Sequence, residues 1–554
     1  MVTTRRVADT ILCGQVALAF VAGQSDTAAT GRVETAEAIA ISDGRVMAVG
    51  RRTDLLAATG GARVLDFGNA AIIPGIHDFH LHLIGMARAR RDLRLDGVER
   101  LEEALAAVRA AGESLSTGAW LRGRGWPEVL LAGRDLGVLA EASAAVHVLL
   151  YSHDSHSAWA SPAALAAAGI GAGTSDPPGG RIERDGSGVP TGILRESATD
   201  LVEAVAGRLR SPELEEALDE TLIEMAVLGI TGATDAGDTT DTNGVGDHAF
   251  LGDRASLVLL LRERIDGRLR LSVNLPSAAI AAAGAAGIRS GAVVAGTSTL
   301  RWAWAKAYAD GALGSRTAAL FAPYTCGETA GLGIARLTPA ELTDIVRTGR
   351  GAGISVAVHA IGDRAVAMAL DAIEHGGPRL SDAPADRIEH AQLVRGADRP
   401  RFAELDVTAS IQPIHCVSDR DLAEACWADR LGDAYAYRSL AAAGARLAFG
   451  TDAPIESVNP WHTLFAAMHR RMPRDSTSDW QPGEALDAAT ALAAMTAGPA
   501  LAAGRTDVGH LRPGALADLA VLSTDLATLL AGDESITQVR SLLTLIDGKE
   551  IHRF

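Results

Sequence analysis

Strand-like apolar runs alternate with Ala- and Leu-rich helical stretches through most of the 554-residue chain. This alternation is typical of βα units and a parallel sheet. Eight such units predict an α/β protein with a (β/α)8 TIM-like barrel. The candidate strands are Ala71–Asp78, Val146–Tyr151, Gly229–Asp235, Arg301–Ala309, Ile354–His359, Asp386–His390, Thr408–Pro413 and Arg446–Asp452.

The chain is much longer than a single barrel requires. A typical barrel of this type needs about 250 residues. The excess lies between the first and fourth candidate strands and predicts an insertion around residues 83–225. Within it, Gly179–Leu194 predicts a hairpin that turns at Asp185–Gly188.

Short strands at both ends of the chain predict a second, smaller domain. Asp43 and Gly44 separate two alternating apolar runs, and Asp547 and Gly548 do the same near the end of the sequence. An Asp-Gly pair in this setting is the strongest short hairpin signal. We therefore expect residues 1–70 and 505–554 to form a small β-sandwich domain, and residues 71–504 to form the barrel.

The charge balance bears on the partners. The chain has 51 basic and 68 acidic residues, a net charge of −17, which argues against nucleic acid as a partner.

The uncharged run Thr10–Gln24 resembles a signal peptide, but Asp9 interrupts the join and no cleavage site follows, so a strand is predicted there. Leu271–Ile288 is too weakly apolar to span a membrane. The expected protein is cytoplasmic, without membrane contact, and a homodimer, since two-fold oligomers are common.

The four cysteines are widely spaced: Cys13, Cys326, Cys416 and Cys426. None forms a Cys-x-x-Cys pair. They are predicted to be buried free thiols in a reducing compartment, with no disulfide.

Residues that can bind a metal occur at the ends of the candidate barrel strands. His80 and His82 are two positions apart, so in extended backbone both point to one side. His359, His390 and Asp452 end the fifth, sixth and eighth candidate strands. Catalytic groups of such barrels lie at this face, and imidazole and carboxylate are ligands that zinc accepts.

Lys306 ends the fourth candidate strand and is unusual in this chain. The 51 basic residues include only two lysines, Lys306 and Lys549, which leaves 49 arginines. An ion-pair donor or a surface charge could equally be an arginine. Because a desolvated lysine can lose its proton and react with carbon dioxide, a carbamate that bridges two ions is the alternative interpretation.

Pro74–His82, Lys306, His359, His390 and Asp452, in this order, resemble the amidohydrolase superfamily of metal-dependent hydrolases. Further stretches are similar to the branch that includes N-substituted formamide deformylases: Asp154–Trp159, Pro177–Gly180, Lys306–Ala318, His359–Asp363, Arg387–Gln392 and Gln412–His415. The resemblance implies one buried ion on His80, His82 and Asp452, and a second on His359 and His390, with carbamylated Lys306 as the bridge.

The implied reaction is cleavage of a C–N bond in an amide, formamide or N-acyl amine by a metal-bound hydroxide. Asp452 would serve as general base and then as general acid. His390 or His156 would stabilise the oxyanion, although a structural role for His156 in the insertion is equally expected.

Other residues are candidates for substrate contacts. Trp126, Trp159 and His415 could line the pocket, but tryptophan is equally a core residue. Asp310 and Arg316 follow the Lys306 strand, where Arg316 could bind a carboxylate or anchor a loop. His77 stands where the branch has an apolar residue, and is expected to support a ligand. Six further histidines are expected to be structural or solvated: His147, His248, His375, His469, His510 and His552.

Two other functions remain open at this stage. A deaminase of a heterocyclic amine would use one ion and no carbamate, and Lys306 argues against it. A non-catalytic scaffold on the same barrel would be expected to lose ligands, whereas all six positions are filled here. Metal content per chain separates the three.

Overall fold

The computed structural model describes residues 8–22, 31–59, 61–126, 137–143, 146–152, 156–206, 211–237, 261–327, 331–475 and 478–554. The strands are β1 (Thr10–Val21), β2 (Arg32–Ser42), β3 (Arg45–Gly50), β4 (Arg63–Pro74), β5 (Ile76–Leu81), β6 (Leu93–Arg94), β7 (Trp120–Trp126), β8 (His147–Ser152), β9 (Ser157–Ala160), β10 (Gly180–Arg184), β11 (Pro190–Glu196), β12 (Ile230–Asp235), β13 (Arg270–Pro276), β14 (Leu300–Tyr308), β15 (Val356–Ala360), β16 (Arg387–His390), β17 (Thr408–Ile411), β18 (Arg446–Phe449), β19 (Leu519–Leu522), β20 (Ser541–Ile546) and β21 (Lys549–Arg553).

The α-helices in the described ranges are Arg52–Ala58, Leu83–Ala89, Leu101–Glu113, Val138–Ser143, Pro162–Ala167, Asp200–Glu203, Ser211–Val227, Ile280–Ala285, Pro339–Ala352, Asp363–His375, Arg399–Glu404, His415–Ser418, Arg420–Cys426, Tyr437–Ala442, Pro460–His469, Ala488–Met495, Ala497–Ala502 and Leu526–Ala531. Short 3-10 helices cover Ser277–Ala279, Leu431–Asp433, Pro482–Glu484 and Glu534–Gln538. None of the helices described is both long and apolar enough to cross a bilayer.

Eight parallel strands form the predicted barrel, in the order β5-β12-β13-β14-β15-β16-β17-β18. The last strand lies beside the first, where the Asp452 amide donates to the His80 carbonyl at 2.7 Å. This closure brings the carboxyl ends of all the strands to one face. The predicted fold class is confirmed.

The segment Val146–Tyr151 is not a barrel strand, so this part of the prediction is wrong. The segment forms β8, which pairs with β7 and β9 outside the barrel. Its apolar run suits any strand that is buried on both faces, and periodicity does not reveal which sheet such a strand joins. The missing barrel strand is β13, in which Asn274 and Pro276 interrupt the apolar pattern and weaken the strand signal.

The helix before β15 shows how local sequence places a site residue. Thr338 caps the helix Pro339–Ala352. Its side-chain oxygen accepts from the Glu341 amide, and the Glu341 carboxylate accepts from the Thr338 amide. Gly353, with φ of +69°, ends the helix in a left-handed conformation that glycine adopts without strain. The chain then reverses into β15, whose fourth residue is His359.

A six-stranded sheet lies between β5 and β12 in the sequence, in the order β10-β11-β9-β8-β7-β6. The predicted hairpin is present, with Ile182 opposite Leu194 in the antiparallel pair of β10 and β11. Both faces of the sheet are covered, because Leu150 and Leu149 pack into different apolar clusters. Residues 83–225 thus contain a core of their own.

The chain ends combine in a seven-stranded sheet of order β21-β20-β19-β4-β1-β2-β3. Both predicted Asp-Gly hairpins form, and their turns have positive φ at Asp43 and Asp547. The sheet curls back on itself, since the Val46 amide donates to the Ala515 carbonyl at 2.9 Å. Leu12 and Leu545, from distant strands, share the core that this curl encloses.

The prediction that all four cysteines are free thiols is wrong. Cys326 and Cys426 form a disulfide, with their Cα atoms 4.5 Å apart, while Cys13 and Cys416 are buried and free. The two partners are 100 residues apart in sequence, and only the fold brings their segments together. The Thr325 amide donates to the Cys426 carbonyl at the same junction.

Candidate metal centre

His80 and His82 reach the carboxyl face from the end of β5. His80 is buried, and its Nδ1–H donates to Glu389 Oε2 at 2.5 Å. The other nitrogen, Nε2, therefore lies 3.4 Å from Asp452 Oδ1, and His82 Nε2 lies 3.2 Å from the same oxygen. Burial lowers the pKa of His80 to about 4, although the Glu389 carboxylate acts in the opposite direction.

His390 ends β16 and lies between the other imidazoles. Its ring centroid is 4.8 Å from that of His80 and 4.6 Å from that of His359. Its Nδ1 lies 2.9 Å from Gln412 Oε1, which leaves Nε2 as the nitrogen with a lone pair. Burial, and the neighbouring His359, hold the pKa of His390 well below its ordinary value.

His359 uses the opposite nitrogen. Its Nε2–H donates to the Gly311 carbonyl at 3.2 Å, so Nδ1 carries the lone pair. Burial keeps the pKa of this imidazole well below its usual range. Neutral imidazoles with one nitrogen engaged and one lone pair remaining are what a metal site requires.

Asp452 follows β18 and faces these histidines. Its backbone has a φ of +59°, a left-handed conformation that costs free energy in a residue with a Cβ. Its buried Oδ1 makes no hydrogen bond within the described part of the chain. Burial would raise the pKa of Asp452, but His80, His82 and His415 outweigh it and hold the pKa well below its usual range.

Lys306 points into the same region from β14. The side chain is buried, and its Nζ lies 5.1 Å from the centroid of the Tyr308 ring. Burial lowers the pKa of Lys306, while the Glu389 carboxylate raises it.

Below the histidines, a buried ion pair supports the site. Arg387 donates to Glu389, and the guanidinium lies 4.1 Å from the centroid of the Phe79 ring and 4.6 Å from that of Trp304. Burial would raise the pKa of Glu389, but Arg387 and His80 hold it well below its ordinary value. The carboxylate therefore stays ionised and fixes the ring of His80.

These residues fit a divalent cation. One ligand atom each from His80, His390 and Asp452 lies within 4.8 Å of the others. The set combines imidazole nitrogens with a carboxylate oxygen that has no hydrogen bond, the donor types that zinc prefers. Glu389 and Gln412 hold the far nitrogens of two of the rings, as partners of metal-binding histidines do.

A cavity opens beside the ligands. His156, His390, His415 and Asp452 line it together with Gln392 and apolar side chains. His156 comes from the insertion, and its Nδ1–H donates to Glu196 Oε2 at 2.9 Å.

Glu196 ends β11 and also joins the insertion to a barrel loop. Thr317 Oγ1 donates to it at 2.5 Å, and Arg336 Nη1 lies 3.4 Å from its other oxygen. Burial would raise the pKa of Glu196, but His156 and Arg336 lower it to about 2.

Three of the five candidate substrate residues have structural roles. Trp126 and Trp159 are buried in the core of the insertion, not in the cavity lining, and Trp126 Nε1 donates to the Leu150 carbonyl at 2.8 Å. Asp310 is fully buried and accepts from the backbone amides of Ala319, Ile361 and Gly362. All three are therefore placed in cores and loops and not among the residues that line this cavity.

The other sequence candidates are found in varied places. Arg316 is exposed and has a φ of +56°. Burial lowers the pKa of His77 to about 3, and its Nε2 contacts Thr234 Oγ1 at 3.1 Å, not a candidate ligand. Asp154, Ser155 and His248 lie outside the described residues.

Sequence reasoning missed the residues that hold the imidazoles: Glu389, Gln412, Gln392 and Glu196. Each comes from a different strand or loop than the histidine it contacts, so no local spacing announces the pair. The available signal was their polarity next to apolar strand residues.

Comparison with known proteins identifies the family of this chain. A family model described as the amidohydrolase family matches residues 63–552. The chain is 30% identical to the protein LONG AFTER FAR-RED 3 of Arabidopsis thaliana over 524 residues, which cover 93% of this chain and 88% of that protein. It is 26% identical to the N-substituted formamide deformylase of Arthrobacter pascens over 531 residues, 93% of this chain and 95% of the relative.

Among solved structures, an uncharacterized metal-dependent hydrolase from Pyrococcus horikoshii matches with a TM-score of 0.73 and 25% identity. The match covers 95% of this chain and 99% of that one. Because the family model spans most of the sequence and the fold agrees, this protein belongs to the amidohydrolase family and is a metal-dependent hydrolase.

Proposed function

We propose that this protein hydrolyses the C–N bond of a small amide, formamide or N-acyl amine with a zinc centre. The observation that carries the proposal is Asp452 Oδ1, a buried oxygen that has no hydrogen bond within the described ranges and lies 3.2 Å from His82 Nε2 and 3.4 Å from His80 Nε2. The deformylase of Arthrobacter pascens supports the reaction class.

His80, His82 and Asp452 would hold one ion, and His359 and His390 a second, with Lys306 between them. A bound divalent cation supplies a nucleophile at neutral pH and polarises the substrate carbonyl. The ionised Glu389 carboxylate keeps the ring of His80 in the tautomer that leaves Nε2 unprotonated.

Asp452 is the group that moves the proton. One of its oxygens faces His80 and His82, and the other lies 3.6 Å from His415 Nε2 and lines the cavity. A carboxylate beside the attacking water can take its proton and release it in a later step. The proton then passes to the leaving nitrogen, so that a neutral amine departs.

Lys306 is proposed to carry a carbamate. Its burial disfavours the ammonium form, and the free amine can react with carbon dioxide. The resulting carboxylate would give both ions an oxygen ligand. Only two lysines occur in the chain, which makes the modification easy to trace.

The first experiment measures metal content per chain in protein prepared with zinc and labelled bicarbonate. Lys306→Arg tests the bridge, and Lys549→Arg, at an exposed residue of β21, is the matched control. We expect two ions and one labelled carbamate in the wild type and in Lys549→Arg, and at most one ion and no label in Lys306→Arg. One ion without label in all three proteins contradicts the bridge.

The second experiment is a substrate screen with formanilides, N-acyl amines and N-acyl amino acids, scored by release of the amine. Turnover that depends on added zinc and is lost in Asp452→Asn supports the proposed reaction. Protein that binds no metal and cleaves none of these compounds would instead be a scaffold.

A second candidate is a deaminase of a heterocyclic amine, favoured by the compact set of His80, His390 and Asp452, which suffices for one ion. It predicts one zinc per chain, no carbamate, and release of ammonia from aminated rings. Ammonia release without turnover of any amide would favour this function.

A further inference from the structure

We propose that His415 is a catalytic hydrogen-bond donor, and that Gln392 and Asp419 position it. Its Nε2–H stabilises the negative charge that develops on the carbonyl oxygen of the substrate. This inference rests on the proposed function, because it assigns the oxyanion of that reaction a partner from the protein.

Two glutamine–histidine pairs lie at the site, and their hydrogen bonds run in opposite directions. The histidine donates in one pair, and the glutamine donates in the other. In the first pair, Gln412 Nε2 donates to the Ser410 carbonyl at 3.4 Å, which turns Oε1 toward His390. His390 Nδ1–H then donates to Oε1 at 2.9 Å. The remaining nitrogen of His390 has a lone pair, as a metal ligand must.

In the second pair, the amide group faces the histidine with its nitrogen. Gln392 Nε2 lies 3.5 Å from Asp419 Oδ2 and 3.3 Å from His415 Nδ1. The carboxylate only accepts hydrogen bonds, so it selects the amide orientation with the NH₂ group toward it. The rotated amide would place a carbonyl oxygen against a carboxylate oxygen.

Tyr435 holds the carboxylate that selects this orientation. Its hydroxyl donates to Asp419 Oδ2 at 2.8 Å and lies 3.3 Å from Gln392 Oε1. Burial, together with Asp419, holds the pKa of Tyr435 well above its usual value, so the hydroxyl keeps its proton. His415 Nδ1 is therefore the acceptor, and its single ring proton is on Nε2.

The Nε2–H group of His415 lacks an acceptor within the part of the chain that the structure describes. His415 is 7% exposed, and its Nε2 has no hydrogen-bond partner among the residues described. Asp452 Oδ2 lies 3.6 Å from this nitrogen, which is beyond hydrogen-bond distance. A buried N–H without a partner is costly, so an oxygen of the substrate is its natural acceptor.

The position of the ring suits this role. His415 and Asp452 line the same cavity, and the His415 ring lies nearly parallel to that of His390, with an interplanar angle of 18°. A carbonyl carbon attacked next to Asp452 would have its oxygen within reach of His415 Nε2. A donor fixed before the reaction stabilises the developing charge without reorganisation.

The electron and proton balance is complete. Water oxygen adds to the carbonyl carbon, the C=O π pair moves to the carbonyl oxygen, and Asp452 takes the proton of the water. His415 Nε2–H donates a hydrogen bond to that oxygen and keeps its proton. The electron pair on that oxygen then re-forms the C=O bond, the C–N bond breaks, and the leaving nitrogen takes the proton from Asp452.

The kinetic test compares His415→Phe, which keeps an aromatic ring without a donor, with His415→Gln, whose amide nitrogen can donate from a similar position. We expect kcat of His415→Phe to fall about 10²- to 10³-fold, with little change in KM and with unchanged metal content. His415→Gln should recover at least about tenfold of that loss. Exposed His375→Phe is the control and should match the wild type.

Three kinetic results would overturn the proposal. Loss of metal in His415→Phe would make His415 a ligand. A raised KM with unchanged kcat would limit it to substrate binding. Equal kcat values in the Phe and Gln variants would show that no donor is needed.

A second measurement does not depend on activity. NMR of zinc-loaded protein with nitrogen-labelled histidine reports which ring nitrogen carries the proton, and the His415 signals are those missing from His415→Gln. We expect a protonated Nε2 and an unprotonated Nδ1, and a shift of this preference in Gln392→Met. A proton on Nδ1 overturns the inference even when amide turnover is found, whereas absence of all turnover counts against the proposed function alone.

Discussion

The metal centre and the junction between the barrel and the terminal sheet both bury charged side chains, yet they treat their polar atoms differently. At the junction, Arg270 donates to both oxygens of Asp518 and to Asp547, and Asp518 also accepts from the Asp547 amide. At the metal centre, Asp452 Oδ1 and His415 Nε2 have no hydrogen bond within the ranges described.

The backbone differs in the same way. His390 and Asp452 have φ values of +70° and +59°, whereas Arg270 lies within a regular strand. Buried polar groups in folded proteins are normally paired, and strained residues concentrate where a ligand acts. The comparison indicates that the ion pairs of the junction stabilise the fold. At the candidate metal centre, polar atoms without a hydrogen bond in the described ranges are available to the proposed ion and substrate.

The largest expected effect separates activity from stability. Asp452→Asn keeps the shape of the side chain and removes its capacity to carry a proton, so kcat should fall about 10²- to 10⁴-fold. The free energy of unfolding, measured by denaturant titration of the metal-free protein, should fall by less than in a variant that breaks a hydrogen-bonded ion pair, because Oδ1 makes no hydrogen bond within the described ranges and only the favourable charge near the imidazoles is lost. A variant with activity within tenfold of the wild type would remove Asp452 from the reaction.

The reverse result is expected at the junction. Asp518→Ala leaves the buried Arg270 without its main partner and should lower the free energy of unfolding by about 3–5 kcal/mol. Metal content and kcat per folded molecule should stay at wild-type values. Asp66→Ala, which removes an exposed partner of Arg52, is the control and should change little. If Asp518→Ala is as stable as that control, the junction does not stabilise the fold.

Glu389→Gln tests a residue that belongs to both categories, because it is fully paired and also supports a ligand. The amide weakens the hold on His80 Nδ1, so affinity for zinc should fall about 10- to 100-fold. Competition with a chelator of known affinity measures this. Unchanged affinity would mean that Glu389 serves only to neutralise Arg387.

The smallest effect concerns His77, a paired histidine in the strand that also carries His80. Burial lowers the pKa of His77 from the ordinary value of 6.5 to about 3. Between these pH values the unfolded chain binds a proton at His77 that the folded protein does not bind. Stability is therefore complete above pH 6.5 and is lost as the pH falls toward 3. Between pH 6.5 and 5, the wild type should lose about 1–2 kcal/mol more than His77→Phe in denaturant titrations. Parallel curves for the two proteins would contradict this.

Much of the fold follows from the sequence because the signals are local. Asp43 with Gly44, and Asp547 with Gly548, form tight turns by their own backbone preferences. The metal-ligand candidates could be found because the ends of parallel strands meet at one face of a barrel. His80, His359, His390 and Asp452 needed only strand assignments to be brought together.

The rest depends on contacts between distant segments. Val146–Tyr151 has the composition of a barrel strand, and only its pairing with β7 and β9 places it elsewhere. The spacing of cysteines along the chain carries no information about a pair 100 residues apart, so the sequence does not predict the disulfide. The polarity of the Gln392–His415 pair depends on Asp419 and Tyr435, so it too emerges only in three dimensions.

The strand order of the terminal sheet has a consequence for biosynthesis. β4 pairs with β1 on one side and with β19 on the other, so this second edge of β4 has no partner strand until residues 519–522 have been synthesised. Ile72 and Ile73, which are fully buried in the finished protein, belong to that edge strand. An apolar edge left bare during synthesis invites pairing with other chains. Correct folding of the terminal sheet therefore requires that residues 519–522 reach β4 before a strand of another chain does.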